Sequence, residues 1–382
     1  MSMELKDRIA TLAPSLRARA RETEQLRQIP AESMRELAEA GVFRALTPQR
    51  YGGTELSVST TYSALIDVAR ACTATGWVAS LMAIHSFLLG RFDPRVQDEV
   101  WAAGPDALAA SGVAPSGSAV RVEGGVRVTG RWSYASGVDH CAWAILNTHV
   151  QDERYPDMKP ASHFIVVPAA DYTIEDDWHV AGLRGSGSKS IRLDDVLVPS
   201  HRVELGLAIH AGKSSGLAVN SALFQISFPA LFALIFAPSA IGTALAMIDH
   251  FRDFMAKRRA AYTGVAFSTK PATWSRLAEA TGCVDAARLL LERDLAALTR
   301  EATSGDRPAA TLTERARFDV AFIVDLCARA VDRLYAGSGG RALFESSPLQ
   351  RCFRDMHAIT QHAATSLDDA GERYGKFLLE TP

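Results

Sequence analysis

Apolar residues recur at three- and four-residue spacing through roughly the first 110 positions, the pattern of helices with one buried face. In IPAESMRELAEAGVF, Met34, Leu37 and Ala38 share such a face, Pro30 suits a first helical turn and Gly41 is placed to end the helix in a left-handed residue. The stretch SVSTTYSALIDVARACTATGWVASLMAIHSFLLG is dominated by small and apolar residues, which predicts helix buried on most sides. Near Gly112 the period changes to two. Val120 and Val122 alternate with polar residues, Gly124 and Gly125 supply a turn, and Val126 and Val128 resume the alternation, so the segment is a hairpin. CAWAILNTHV, ASHFIVVPA and SIRLDDVLVP add three strand signals with no helices between them, which argues against a Rossmann sheet.

From about Ser221 the helical period returns, through SRLAEATGCVDAARLLLERDLAALTREA, LTERARFDVAFIVDLCARAVDRLYAGSGG and PLQRCFRDMHAITQHAATSLDDAGERYGKFLLE. The pattern predicts a mostly α chain with a central β domain. An N-terminal helical domain covers 1–110, a small β barrel or sandwich covers 111–205, and a C-terminal four-helix bundle covers 206–382.

One segment raises the question of a membrane. Residues 214–248 contain no Lys, Arg, Asp or Glu, and 222–248 are long enough to cross a bilayer. Asn220, Gln225, Pro229 and Pro238 interrupt the run and no basic cluster flanks it, so a buried core helix is the favoured reading. The formal charge of -2 leaves no basic surplus for a phosphate backbone, which removes nucleic acid as a partner. Five scattered cysteines without a CxxC pair suggest neither zinc nor a disulfide framework, and with an N-terminus lacking a signal-peptide core they point to the cytoplasm.

Candidate chemistry gathers in four places. In WHVAGLRGSGSKS, a dinucleotide fingerprint would need glycine at Ser190 and a P-loop would need lysine at Ser188, and a strand follows where both demand a helix. Gly185 and Gly187 instead permit either close approach to a flat ligand or a tight turn, with Ser186 and Ser188 offering hydroxyls. In WSYASGVDH, Ser136 is placed either to bond a cofactor edge or to cap a turn. His357 and His362, read on one helix, stand about 140° apart, which disfavours a shared metal but leaves either ring free to act as base or donor; His85 carries the same ambiguity. The loop YAGSGG, with Gly337, Gly339 and Gly340, presents backbone donors suited to a phosphate and equally suited to ending a helix.

Together, AEAGVFRALTPQRYGG, VTGRWSYASGVDHCAW, WHVAGLRGSGSKSIRLDDVLVP and RDMHAITQH resemble the acyl-CoA dehydrogenase superfamily over nearly the whole chain. Among its branches the chain is similar to the reduced-flavin-dependent, two-component monooxygenases that hydroxylate phenols and aromatic polyketides. Acyl-CoA dehydrogenases commonly carry a catalytic Glu soon after the C-terminal Arg-Asp; counted from Arg354-Asp355, that position is Ala363, preceded by His362. The resemblance therefore implies an oxygenase taking reduced FMN, with FAD as the alternative, from a separate reductase. With O2 it would form a flavin hydroperoxide that hydroxylates a small aromatic substrate.

The resemblance also implies site residues. Ser136 and His362 would be catalytic, with His357 as a further candidate; Trp77, His85 and Tyr134 would face substrate. Trp132, Trp178 and the loop Arg184, Gly185, Ser186, Gly187 and Ser188 would line the cofactor cleft, Arg258 or Arg259 would meet the flavin phosphate, and the YAGSGG loop would come from a neighbouring subunit of a homotetramer or homodimer. A FAD-dependent acyl-CoA dehydrogenase is the alternative reading.

Overall fold

The computed structural model describes residues 4–151, 159–304 and 310–380. Five helices come first: α1 (Leu5–Leu26), α2 (Ala31–Ala40), α3 (Val58–Ala71), α4 (Thr73–Leu89) and α5 (Pro94–Val100). Pro30 precedes α2 and Gly41, at φ 87°, ends it with its N–H on the carbonyls of Leu37 and Ala38. Every residue of α4 is buried, because the helix carries no charged side chain to keep in water. It lies hard against α3 at Gly76, where a β-carbon would collide with the Ala69 backbone.

Eight strands then form one mixed sheet: β1 (Ala109–Gly112), β2 (Ser118–Val122), β3 (Gly125–Ala135), β4 (Trp143–Gln151), β5 (Ala161–Pro168), β6 (Thr173–Glu175), β7 (Lys189–Pro199) and β8 (Val203–Leu205). Their order is β6-β7-β3-β2-β4-β5-β8, with β1 on β4. The β2–β3 hairpin closes on Val122 opposite Gly125. β1 and β2 run parallel to β4 while the other pairs are antiparallel. The β3–β7 register slips between Trp132 and Ala135, and such irregularities bend a strand and re-aim its side chains.

The remaining helices are α6 (Gly206–His210), α7 (Phe228–Leu234), α8 (Ala237–Lys257), α9 (Pro271–Ser304), α10 (Ala310–Ser338), α11 (Pro348–Ile359) and α12 (Leu367–Glu380). The uncharged run is not a single helix from 222. It opens with a 3-10 turn, and Pro229 and Pro238 each sit in the first turn of a new helix, where a missing N–H costs nothing. Residues Phe228–Lys257 are long and apolar enough to cross a membrane, yet 89% of their most apolar window is buried inside the protein. α8 packs against α3, α10 and α11, so one hydrophobic core joins the helices to the sheet.

Candidate active site

Three hydroxyls form a buried row where α4 meets the sheet. Trp77 of α4 donates its indole N–H to Ser136 Oγ at 3.0 Å. Ser136 and Ser188 share a hydrogen bond of 2.7 Å, and Ser188 and Ser186 another of 2.7 Å. Two bonds among three hydroxyls consume two of three protons, and Trp77 adds a donor from outside. One hydroxyl proton is therefore left to give away. Ser136 is 5% exposed against 0% for Ser186, so Ser136 is the less buried end of the row.

Local geometry places each of these groups. Ser136 follows the β3 irregularity, at which Tyr134 adopts φ 67°, a costly conformation for a residue other than glycine. Gly137 then approaches α4 so closely that a β-carbon would meet Val78 at 2.7 Å, and its N–H bonds the Ser186 carbonyl at 2.8 Å. The Ser186–Ser188 segment turns between Leu183 and Gly187, both in the left-handed region. Its base is latched from α11: buried Asp355 accepts the Leu183 N–H at 2.7 Å, and Arg354 reaches both the Ala181 carbonyl and Glu24 of α1. Burial pushes the Asp355 carboxyl up to about 6, opposed by that backbone N–H.

His362 reaches the same cluster from the other side. The expectation that it shares a helix with His357 is corrected: α11 stops at Ile359, where the Thr365 hydroxyl binds the Ile359 and His362 carbonyls, and His362 begins a 3-10 turn. Its Nδ1 accepts the Ala364 N–H at 3.1 Å, so a neutral ring carries its proton on Nε2. The ring lies 4.0 Å from that of Phe236 and edge-on to Trp77 at 5.9 Å, and burial lowers its pKa to about 4. Trp77 thus touches both Ser136 and His362. Ala363, exposed beside His362, offers no carboxylate.

His85, two turns beyond Trp77 on α4, is fully enclosed. Its Nδ1 sits 2.6 Å from the Ala109 carbonyl and must donate, which leaves Nε2 as a buried acceptor without a partner among the described residues. Burial holds this ring near pKa 4 as well. Tyr134 is 73% exposed and meets Trp178 edge-on at 6.1 Å, while the Trp178 N–H is spent on the Leu183 carbonyl.

Other expected residues lie elsewhere. Trp132 points into the sheet interior, packed on Gly112, Gly117 and Gly130 with its N–H on the Asn147 carbonyl, so it supports the domain instead of lining a cleft. His357 pairs with Asp332 at the surface at 2.8 Å. Gly185 is pressed against Thr23 of α1, and Arg184 is exposed. Arg258 caps the carbonyl end of α10 at Ser338 and Gly337, stacks on Phe267 and contacts Gly339, whereas Arg259 is exposed and bonds only the Gly264 carbonyl among the described residues. Gly340 faces open space. Sequence reasoning missed Phe236 and the latch made by Asp355. The spacing of Phe228, Phe232 and Phe236, one helical face within the uncharged run, was the available signal for the former.

Comparison with known proteins bears on this arrangement. The family described as acyl-CoA dehydrogenase, N-terminal domain matches residues 4–92, and acyl-CoA dehydrogenase, C-terminal domain matches 234–367. The oxygenase component of p-hydroxyphenylacetate 3-hydroxylase from Acinetobacter baumannii is 34% identical over 99% of this chain and 89% of its own. Flavin-dependent monooxygenase, oxygenase subunit HsaA, of Rhodococcus jostii is 36% identical over 96% of both. The chain belongs to the oxygenase components of flavin-dependent monooxygenases. XiaF from Streptomyces sp., solved with FADH2 and glycerol, superposes with a TM-score of 0.92 at 30% identity over 99% of this chain and 97% of its own. The residues present fit such a group: the spare hydroxyl proton beside Trp77 and the unpartnered His85 Nε2 are polar groups that a bound molecule would satisfy.

Proposed function

We propose that this chain is the oxygenase component of a two-component system, taking reduced FMN, or FAD in its place, from a separate reductase and using O2 to hydroxylate a small aromatic molecule. The observation that carries the reading is the meeting of Ser136 and His362 on Trp77, with alanine at the position after His362. The names of the similar proteins support the same chemistry.

When bound, a reduced flavin supplies the electrons that activate dioxygen for transfer of one oxygen atom. The chain's own residues do the rest. Ser136 donates its remaining proton to the flavin edge, held in place by Trp77 and Ser188. Tyr134 and Trp178 stand at the exposed side of the hydroxyl row. Ser186, Ser188 and the apolar rings of Trp77 and Phe236 exclude water, which a reactive oxygen donor requires. His85 Nε2 accepts the hydroxyl proton of a phenol, and that interaction raises electron density on the ring to be attacked. His362 donates from Nε2. Both imidazoles are neutral at pH 7, so one is fixed as acceptor and the other as donor.

Arg258 has Arg341 beside it and no carboxylate among its described partners, which suits it to a flavin phosphate at the Gly337–Gly340 loop. Trp132 and His357, engaged elsewhere, have no part in this assignment. Domain limits at 1–110, 111–205 and 206–382, a homotetramer or homodimer, and a cytoplasmic location complete the reading. Exposed Trp274, Leu289, Leu343 and Phe344 support subunit contacts.

The test supplies purified protein with reduced FMN under 18O2 and a panel of phenols. One labelled oxygen atom per product molecule is expected. Product whose new oxygen is unlabelled would overturn the oxygenase reading, and protein-bound FAD bleached by an acyl-CoA would establish the dehydrogenase alternative.

A further inference from the structure

Ser136 and Ser188 share their hydrogen bond just past the end of the ladder between β3 and β7. The last pair of that ladder is Ala135 with Lys189, reached through the slip after Trp132. Such an irregularity at a strand end terminates pairing and turns the chain. Ser136 runs on into Gly137, at φ 68°, and the turn Val138–His140, while Ser188 stands between Gly187 and Lys189, the first residue of β7. Two contacts tie these segments together. The Gly137 N–H bonds the Ser186 carbonyl at 2.8 Å, and the Lys189 ammonium meets Asp139 Oδ1 at 2.8 Å.

The second contact is the unusual one. Lysine and aspartate are ordinarily solvated, yet these two side chains are only 12% and 18% exposed. Asp139 Oδ2 is buried with no partner among the described residues, and a β-carbon on Gly187 would stand 3.1 Å from it, so the carboxylate is packed against the serine loop itself. Lys189 also lies 3.7 Å from Asp176, which Arg27 grips at 2.6 Å while bonding the Trp178 carbonyl at 3.3 Å. Without the ammonium, Asp139 would be an uncompensated charge in a poorly hydrated place, a costly state that the turn relieves by shifting toward water. Asp139 is three residues from Ser136, so a shift of the turn moves the hydroxyl too.

We propose that Lys189 and Asp139 are positioning residues for the reaction, an ion pair that keeps Ser136 in register with Ser188 and so aims the spare hydroxyl proton at the flavin edge. The inference rests on the reading that Ser136 bonds the bound flavin. The pair acts through that serine.

Lys189→Met removes the cation at nearly constant length. Binding of dithionite-reduced FMN to the purified full chain is measured by anaerobic calorimetry for the parent, Lys189→Met, Ser136→Ala and the double variant. Lys189→Met is expected to weaken binding about tenfold, the loss of one well-aimed hydrogen bond, and to lower product formed per reduced flavin consumed. In the Ser136→Ala background the same substitution changes affinity by less than about twofold, because the group it positions is gone. A pair that merely stabilises the fold would lower the urea midpoint and leave the affinity of the folded protein unchanged, which overturns the proposal. An equal loss of affinity in both backgrounds overturns it as well. Should Lys189→Met fail to fold, Asp139→Asn carries the same four-way comparison. Ser136→Ala that binds reduced FMN as the parent does would remove the Ser136 assignment and this inference with it, whereas a loss there and none in Lys189→Met sinks this inference alone.

Discussion

Replacing His85 with glutamine isolates the energetic consequence of an enclosed, unpaired imidazole. The ring is 1% exposed, its Nδ1–H is committed to the Ala109 carbonyl and nothing stabilises a second proton on Nε2. Its pKa in the folded chain is about 4 against an ordinary 6.5, with burial as the main cause. As pH falls from 6.5 to 4 the unfolded chain takes up a proton that the folded chain refuses, so stability falls over that window and levels off below it. At 1.36 kcal/mol per pH unit, this one ring removes about 3 kcal/mol between pH 7 and pH 4. His85→Gln keeps a donor for Ala109 and removes the titration. His250 and His362, also held near 4 by burial, continue to contribute in both proteins, so the quantity to measure is the difference between variant and parent. Urea unfolding followed by tryptophan fluorescence from pH 7.5 to pH 4 should show that difference moving by about 3 kcal/mol in favour of the variant. Parallel curves for the two proteins would falsify the neutral, enclosed histidine, and with it the role of Nε2 as acceptor.

The Asp355 latch has the opposite sign. Its folded pKa is raised to about 6, so the associated stability is present below the ordinary carboxyl value and is lost as pH rises through 6. Asp355→Asn should therefore gain about 3 kcal/mol on the parent between pH 4 and pH 7, read by the same titration. Ser136→Ala strands the Trp77 N–H and should cost about 1–3 kcal/mol while lowering product formed per reduced flavin consumed; unchanged coupling removes Ser136 from the chemistry. Gly185→Ala meets Thr23 and should destabilise the protein by about 1–3 kcal/mol, whereas Gly340→Ala enters open space and should leave the melting temperature nearly unchanged; equal effects would mean that the α1 contact is misread.

Local chemistry was legible in the sequence wherever a single segment determined it. The Pro30-to-Gly41 helix and the hairpin at Gly124 follow from turn residues and period, and the structure has both. Relations between distant segments were not legible. His362 leaves the helical path because Thr365, six residues past Ile359, takes that carbonyl, and helical period alone carries no sign of it. Trp132 sits in the same conspicuous motif as Ser136, yet β3 turns the tryptophan inward and its irregular end turns the serine out. Arg258 was singled out through the family resemblance, while its neighbours on the α10 terminus come from about 80 residues later in the chain. The three short strands β1, β6 and β8 escaped because each has only three or four residues, too few for a period to declare itself.

α4 behaves as a ruler. Trp77 and His85 are eight residues apart on it, about 12 Å in height and 80° in azimuth, and every residue between them is buried. Altering that separation would mean repacking the centre of the molecule. A substitution on the opposing wall, such as one at Phe236, leaves the gauge between indole and imidazole unaltered.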